Sequence, residues 1–221
     1  MFHDKLSLKE RFVLLSLDNI RGYRLTNSIA MQMGVVGVIL YEMFEKNIIV
    51  LSDDRIVIEK DFPTDTSFEF VKNHIKNHSH PPRLESLIKE LRLHSHKLFS
   101  TIVKSLVTKE ILLVVKKNIF GIFATKRFPT RYKIPELRLK KFLLILAKEN
   151  RIPDEESYVL LRFINQCNLI LPVFGLKNKK TVKKYIDLLK KDNGSFVVNK
   201  HELILFEAIK KASLSLLVSL A

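Results

Sequence analysis

The sequence predicts a mainly α-helical fold, a single globular domain over residues 1–221 that carries short β-hairpins. Three observations lead there. Apolar residues recur at helical spacing through most of the chain. The β-branched runs are only four or five residues long and flank polar turns. Apolar residues make up 47% of the chain and include 15 Phe, a composition that buries a core rather than staying disordered.

The first predicted helix spans Leu6–Leu17, with apolar side chains at Leu6, Leu8, Phe12, Val13, Leu15 and Leu17 and Ser7 placed to cap it. Asp18-Asn19-Ile20-Arg21-Gly22 breaks the pattern. A second helix from about Asn27 to Lys46 holds Gly34 and Gly37, each costing about 1 kcal/mol against Ala. Close packing against a neighbouring backbone is the usual compensation. Ile48–Leu51 and Arg55–Ile58 then form a hairpin around Ser52-Asp53-Asp54. Helical patterns follow at Thr66–Lys76 and Arg83–Arg92, interrupted by Pro81-Pro82, and at about Ser95–Thr108. A second hairpin is predicted from Ile111–Val115 through Lys116-Lys117-Asn118 to Ile119–Phe123. Helices come next at Pro135–Lys148, Glu155–Asn168 and Thr181–Lys191. A short strand at Phe196–Val198 and a closing helix at His201–Ala221 complete the chain.

One cysteine, Cys167, sits in an apolar run and reads as a small buried hydrophobe in a reducing compartment. Met1–Arg11 is too charged for an export signal, and the longest apolar runs fall well below the roughly 20 residues of a spanning helix. A cytoplasmic protein with at most peripheral membrane contact is expected. The net charge of +15 is unevenly placed: +2 over residues 1–110 and +13 over residues 111–221. Such asymmetry attracts polyanions.

No catalytic constellation emerges, so no enzyme activity and no cofactor are expected. Glycine-rich phosphate loops and Gly-x-Ser-x-Gly are absent. His74 and His78 sit four apart, a spacing metals use, but there is no HExxH arrangement and no nearby cysteine, so no metal is expected. The basic segments carry more. Lys116, Lys117, Lys126, Arg127, Arg131 and Lys133 surround Ile119–Phe123, an arrangement suited to an anionic membrane surface at about 1 kcal/mol per cation. A second basic stretch covers residues 177–191. The helix 95–108 with its hairpin also resembles a winged helix, the basis of an alternative reading as a nucleic-acid-binding regulator. That helix offers only Lys97 and Lys104 as long cations and no Arg, Asn or Gln to read bases, so nucleic acid is not the expected partner. A soluble scaffold is the remaining alternative.

Taken in order, several motifs resemble the Golgi phosphoprotein 3 family. They are Leu6–Glu10 with Phe12–Leu17, Asp18–Tyr23, the pair Gly34 and Gly37, and Leu40, Glu42 and Asn47–Leu51. Pro63-Thr64-Asp65, Pro81-Pro82 and Leu106–Leu112 continue the series. The resemblance implies a mostly helical, non-catalytic, peripheral membrane adaptor binding phosphatidylinositol 4-phosphate. Its length resembles that of prokaryotic members, so a bacterial source is expected. The family's headgroup pocket, one tryptophan and three arginines, maps onto Asn27, Val36, His96 and Phe99. None of the four is kept, and the loss of three guanidiniums implies a diverged pocket that no longer grips one phosphate bidentately.

Overall fold

The structure is a computed structural model describing residues 6–26, 28–60, 65–119, 123–191 and 200–218. It is mainly helical. In chain order the described elements are α1 (Leu8–Leu15), α2 (Ile29–Glu45), β1 (Ile49–Ser52), β2 (Arg55–Ile58), α3 (Thr66–Lys76), α4 (Leu84–Leu93) and α5 (Ser95–Thr108). Then come β3 (Val115–Ile119), β4 (Phe123–Arg127), α6 (Ile134–Glu149), α7 (Glu155–Gln166), α8 (Ile170–Lys191) and α9 (Lys200–Val218). Each strand pair forms its own two-stranded antiparallel sheet. The chain folds as two compact units, Met1–Asn27 with Ile102–Asn193 and Ser28–Thr101 with Gly194–Ala221.

In the first unit, Ser7 caps α1 and its backbone N–H donates to Glu10 Oε2 at 2.9 Å. The Glu10 carboxylate is almost fully buried, and it also accepts from Ser105 Oγ and Lys109 Nζ, both at 2.6 Å. An isolated buried carboxylate would be very costly; three donors, one of them charged, offset that cost. They tie the start of α1 to the end of α5. Helix α1 packs on α6 and α7, which pack in turn on α8. Phe12 meets the edge of Phe163 with ring centroids 6.1 Å apart. Cys167 is buried at the end of α7.

Two predicted boundaries are corrected in this unit. Helical structure in α8 begins at Ile170, ahead of the expected Thr181, with a first piece that precedes Gly175. Pro172 lies in its first turn, where a missing N–H costs no intrahelical bond. Gly175, at φ 75° and ψ 169°, is not helical, so α8 is two helical pieces that meet at a kink there. The second hairpin does not turn at Lys116-Lys117-Asn118; those residues lie within β3. Val115 pairs with Arg127, Lys116 with Lys126 and Ile119 with Phe123. The apolar run that looked like the first strand continues the same register outward, with Leu112 bridging Thr130 and Leu113 N–H donating to Pro129 O. The expected strand at Phe196–Val198, and Phe120-Gly121-Ile122 of the expected hairpin, lie outside the described residues.

In the second unit, α2 is buried on nearly every face, including Gly34 and Gly37, and packs on α3, α4 and α9. Ser28 Oγ caps it by accepting from Met31 N–H. Asp65 caps α3 by accepting from the N–H groups of Ser67 and Phe68. The β1–β2 hairpin turns through Asp53 and Asp54, both left-handed (φ 47° and 63°), the two-residue geometry that matches strand twist.

Among the described residues no single helix is long and apolar enough to cross a membrane. Helices α7 and α8 together pass by length and composition but are bent by 98°, and most of α7 is core of the first unit.

Two tests follow from this packing. Gly37→Leu should overpack α2 and lower stability by about 1–3 kcal/mol, read by urea denaturation. The second concerns Tyr185, whose hydroxyl donates to Arg151 O at 2.5 Å. Burial, with a smaller contribution from Asp154, pushes this phenol up to about 12. The folded state therefore holds its proton longer than the unfolded chain, whose tyrosine titrates near 10. The stability contributed is complete below pH 10 and lost between pH 10 and 12. Tyr185→Phe should flatten that part of the stability profile, and one tyrosine should lag in an ultraviolet titration.

Candidate functional site

The hairpin of β3 and β4 carries the densest group of predicted binding residues, and backbone chemistry fixes its place in the first unit. Along the segment from Phe123 to Arg131, alternate N–H groups point to opposite edges. Arg131 N–H donates to Ile111 O on the β3 side. Phe128 N–H donates to Gly22 O at 2.8 Å and Thr130 N–H to Asn19 O at 3.1 Å on the other side. Pro129 has no N–H to offer, which accounts for the break between the two parts of the ladder. The Asp18–Gly22 turn is itself built by Asp18, whose Oδ1 accepts from the N–H groups of Ile20 and Arg21. Gly22 closes it at φ 67°, and a Cβ there would overlap the backbone of Phe128 and Pro129.

In this register Lys116 and Lys126 are directly opposed, on one face of the hairpin. Arg127 alternates to the other face, and Lys117 pairs by backbone with Thr125, its side chain lying outside the described residues. Arg131 follows the strand, forms an ion pair with exposed Glu110 at 3.1 Å and lies over the Tyr132 ring. Lys133 is the N-cap residue of α6 and is exposed. Among the described residues Lys116, Lys126 and Lys133 have no ion-pair partner. Like charges directly opposed across a sheet are destabilising. Beside them the chain exposes apolar side chains: Leu113 and Val114 (49%) before β3 and Val115 at its start, then Tyr132 (56%) before α6 and Ile134 and Leu137 in its first turn. Half-buried Arg24, in the loop that follows Gly22, has its pKa lowered by desolvation but stays charged at neutral pH.

The second basic stretch, on α8, places Lys180, Lys183, Lys184 and Lys191 with Asp187 around a shallow recess of about 390 Å³. In the second unit, a recess of about 430 Å³ mixes Asp54, Glu85 and Glu207 with Arg83 and Lys211 and so favours no anion.

The positions that the family resemblance assigned to a lipid pocket fall as follows. Val36 is fully buried in α2, Phe99 is buried in α5, and His96 is exposed on α5. Asn27 lies outside the described residues. Residues 8–207 match the family model of Golgi phosphoprotein 3.

The chain belongs to the Golgi phosphoprotein 3 family.

No individual curated protein matches it. The family match spans both described hairpins and the first part of α9, so the basic hairpin lies within the region shared with Golgi phosphoprotein 3. One cluster escaped sequence reasoning: Glu90 of α4 joins His74 and His78, whose four-residue spacing was its only sequence signal.

The turn that seats the hairpin can be tested directly. Gly22→Ala must adopt a strained left-handed backbone and displace Pro129, and should cost at least about 2 kcal/mol in urea denaturation. An alanine variant as stable as the parent would show that the hairpin does not depend on this approach.

Proposed function

We propose that this protein is a non-catalytic peripheral adaptor that binds anionic membrane surfaces through its second hairpin. Membership of the Golgi phosphoprotein 3 family supports a membrane-adaptor role in general. The observation that carries the specific reading is the opposed pair Lys116 and Lys126 beside exposed Val114 and Val115. Cations next to unburied apolar side chains fit a surface that is anionic at the headgroups and apolar just beneath. An anionic bilayer also relieves the repulsion between the two lysines.

The magnitudes are modest. Six cations at about 1 kcal/mol each, reduced by screening, give weak attraction, and the apolar side chains add about 25 cal/mol per Å² inserted. Recognition then follows surface charge density rather than one phosphate position, because Val36 and Phe99 are core residues without polar atoms on their side chains. The adaptor acts at the cytoplasmic face of the membrane in this reading, and its protein cargo is a separate question.

Vesicle co-sedimentation provides the test. Phosphatidylglycerol and phosphatidylinositol 4-phosphate vesicles matched in total charge should bind about equally at low salt, and both should release the protein as salt rises. Zwitterionic vesicles should bind poorly. Replacing Lys116, Lys126, Arg127 and Lys133 together by Ala should weaken both anionic cases by roughly tenfold or more. Absence of binding to every anionic vesicle would overturn the adaptor reading, and a strong phosphoinositide preference would overturn recognition by charge density.

A further inference from the structure

The second unit contains a donor cluster that the membrane reading leaves unused. His74 lies in the last turn of α3, and His78 follows the helix end, its N–H donating to Ile75 O at 3.2 Å. The connection through Pro81-Pro82 then brings α4 back so that Glu90 faces both rings. Glu90 Oε2 lies 3.1 Å from His74 Nε2 and 2.9 Å from His78 Nε2. One ligand atom from each residue lies within 4.8 Å of the others. The two rings are 5.7 Å apart and inclined by 74°, so they approach the carboxylate from different directions. Phe70 stacks on His74 at 6.4 Å, and His94 packs edge-on to both Phe70 and His74, which restricts how His74 can turn. All three donor side chains are partly exposed, so an ion could enter from solvent.

The geometry points to a binding site for a zinc-like divalent transition-metal ion, held by His74, His78 and Glu90. Two imidazole nitrogens with one carboxylate oxygen suit zinc, and they are a poor set for magnesium or calcium, which take oxygen ligands. Zinc holds its nitrogen and oxygen ligands at about 2.0–2.2 Å, which sets tetrahedral ligands roughly 3.3 Å from one another. The two Nε2 atoms already stand close to that distance from the carboxylate oxygen. On binding, the proton that each Nε2 shares with Glu90 leaves that nitrogen, either to Nδ1 by way of solvent or to bulk water, so that each ring coordinates through Nε2 as a neutral imidazole with its proton on Nδ1. Water fills the fourth position. The bound ion would clamp the end of α3 to α4 across the diproline connection.

Calorimetric titration of the metal-stripped full chain with zinc chloride is the test. One equivalent should bind with micromolar or tighter affinity and raise the thermal midpoint, while magnesium and calcium chloride should do neither. His78→Asn and the near-isosteric Glu90→Gln should each weaken zinc at least tenfold, with folding checked by circular dichroism. His80→Asn and His96→Asn should leave affinity unchanged. Cobalt should give a visible absorption band in the parent chain that is lost in His78→Asn. The assignment is overturned if the parent binds no stoichiometric zinc. It is equally overturned if His78→Asn and Glu90→Gln bind as the parent does.

Discussion

The position of the basic hairpin rests on the close approach of the Gly22 backbone to Phe128 and Pro129. One edge of the segment Phe123–Arg131 pairs with β3 and its outward continuation, and the other accepts the Asp18–Gly22 turn. A strand used on both edges cannot slip by one residue without losing both sets of bonds, so its register is fixed. The turn depends on α1, which ends two residues before it, and α1 is held by the Glu10 carboxylate through Ser7, Ser105 and Lys109. A buried acid near the start of the chain thus helps to place cations more than a hundred residues later. Hydrogen bonds, steric fit and the ion pair of buried Glu10 with Lys109 set this arrangement.

At that surface the electrostatics oppose stability. Among the described residues Lys116 and Lys126 face each other, Lys133 has no acid partner and Arg131 is offset by Glu110. Within the fold these charges gain nothing, and the exposed Val114, Val115 and Tyr132 add apolar area left in water. Both costs fall against an anionic bilayer, because headgroups screen the cations while the apolar side chains leave water. An uncommitted surface of this composition is what peripheral membrane contact requires.

Much of the fold was legible where local chemistry decides the outcome. Ser7 and Asp65 start helices, Asp53-Asp54 turn the first hairpin and Pro81-Pro82 separates α3 from α4, each for reasons contained within a few residues. The second hairpin was misplaced because Ile111–Val115 has the stronger strand composition and Lys116–Asn118 the stronger turn composition. The pairing that prevails is set by Gly22 and Pro129, remote in sequence from that turn. Pro172 concealed the first piece of α8, since a proline is tolerated in a first turn, while Gly175 does separate that piece from the longer helix that follows. The histidine cluster was half legible: the spacing of His74 and His78 shows in the sequence, but Glu90 comes from the next helix.

Val36 and Phe99, which the resemblance assigned to a pocket, and the basic hairpin differ in what a substitution can do. Val36 and Phe99 are core side chains, 0% and 3% exposed. An arginine at either place would bring a guanidinium into apolar packing with no carboxylate or phosphate prepared to receive it. The penalty would be several kcal/mol, comparable to the whole stability of many domains. Neither position therefore accepts a guanidinium by one substitution, because each arginine needs an anionic partner and rearranged neighbours at the same time. The hairpin cations are under the opposite constraint. They are largely exposed, each adds a small and nearly independent increment, and any one can be lost or gained with little effect on folding. Recognition built from such increments is graded in charge and tolerant of headgroup chemistry, which is what the proposed charge-density reading requires.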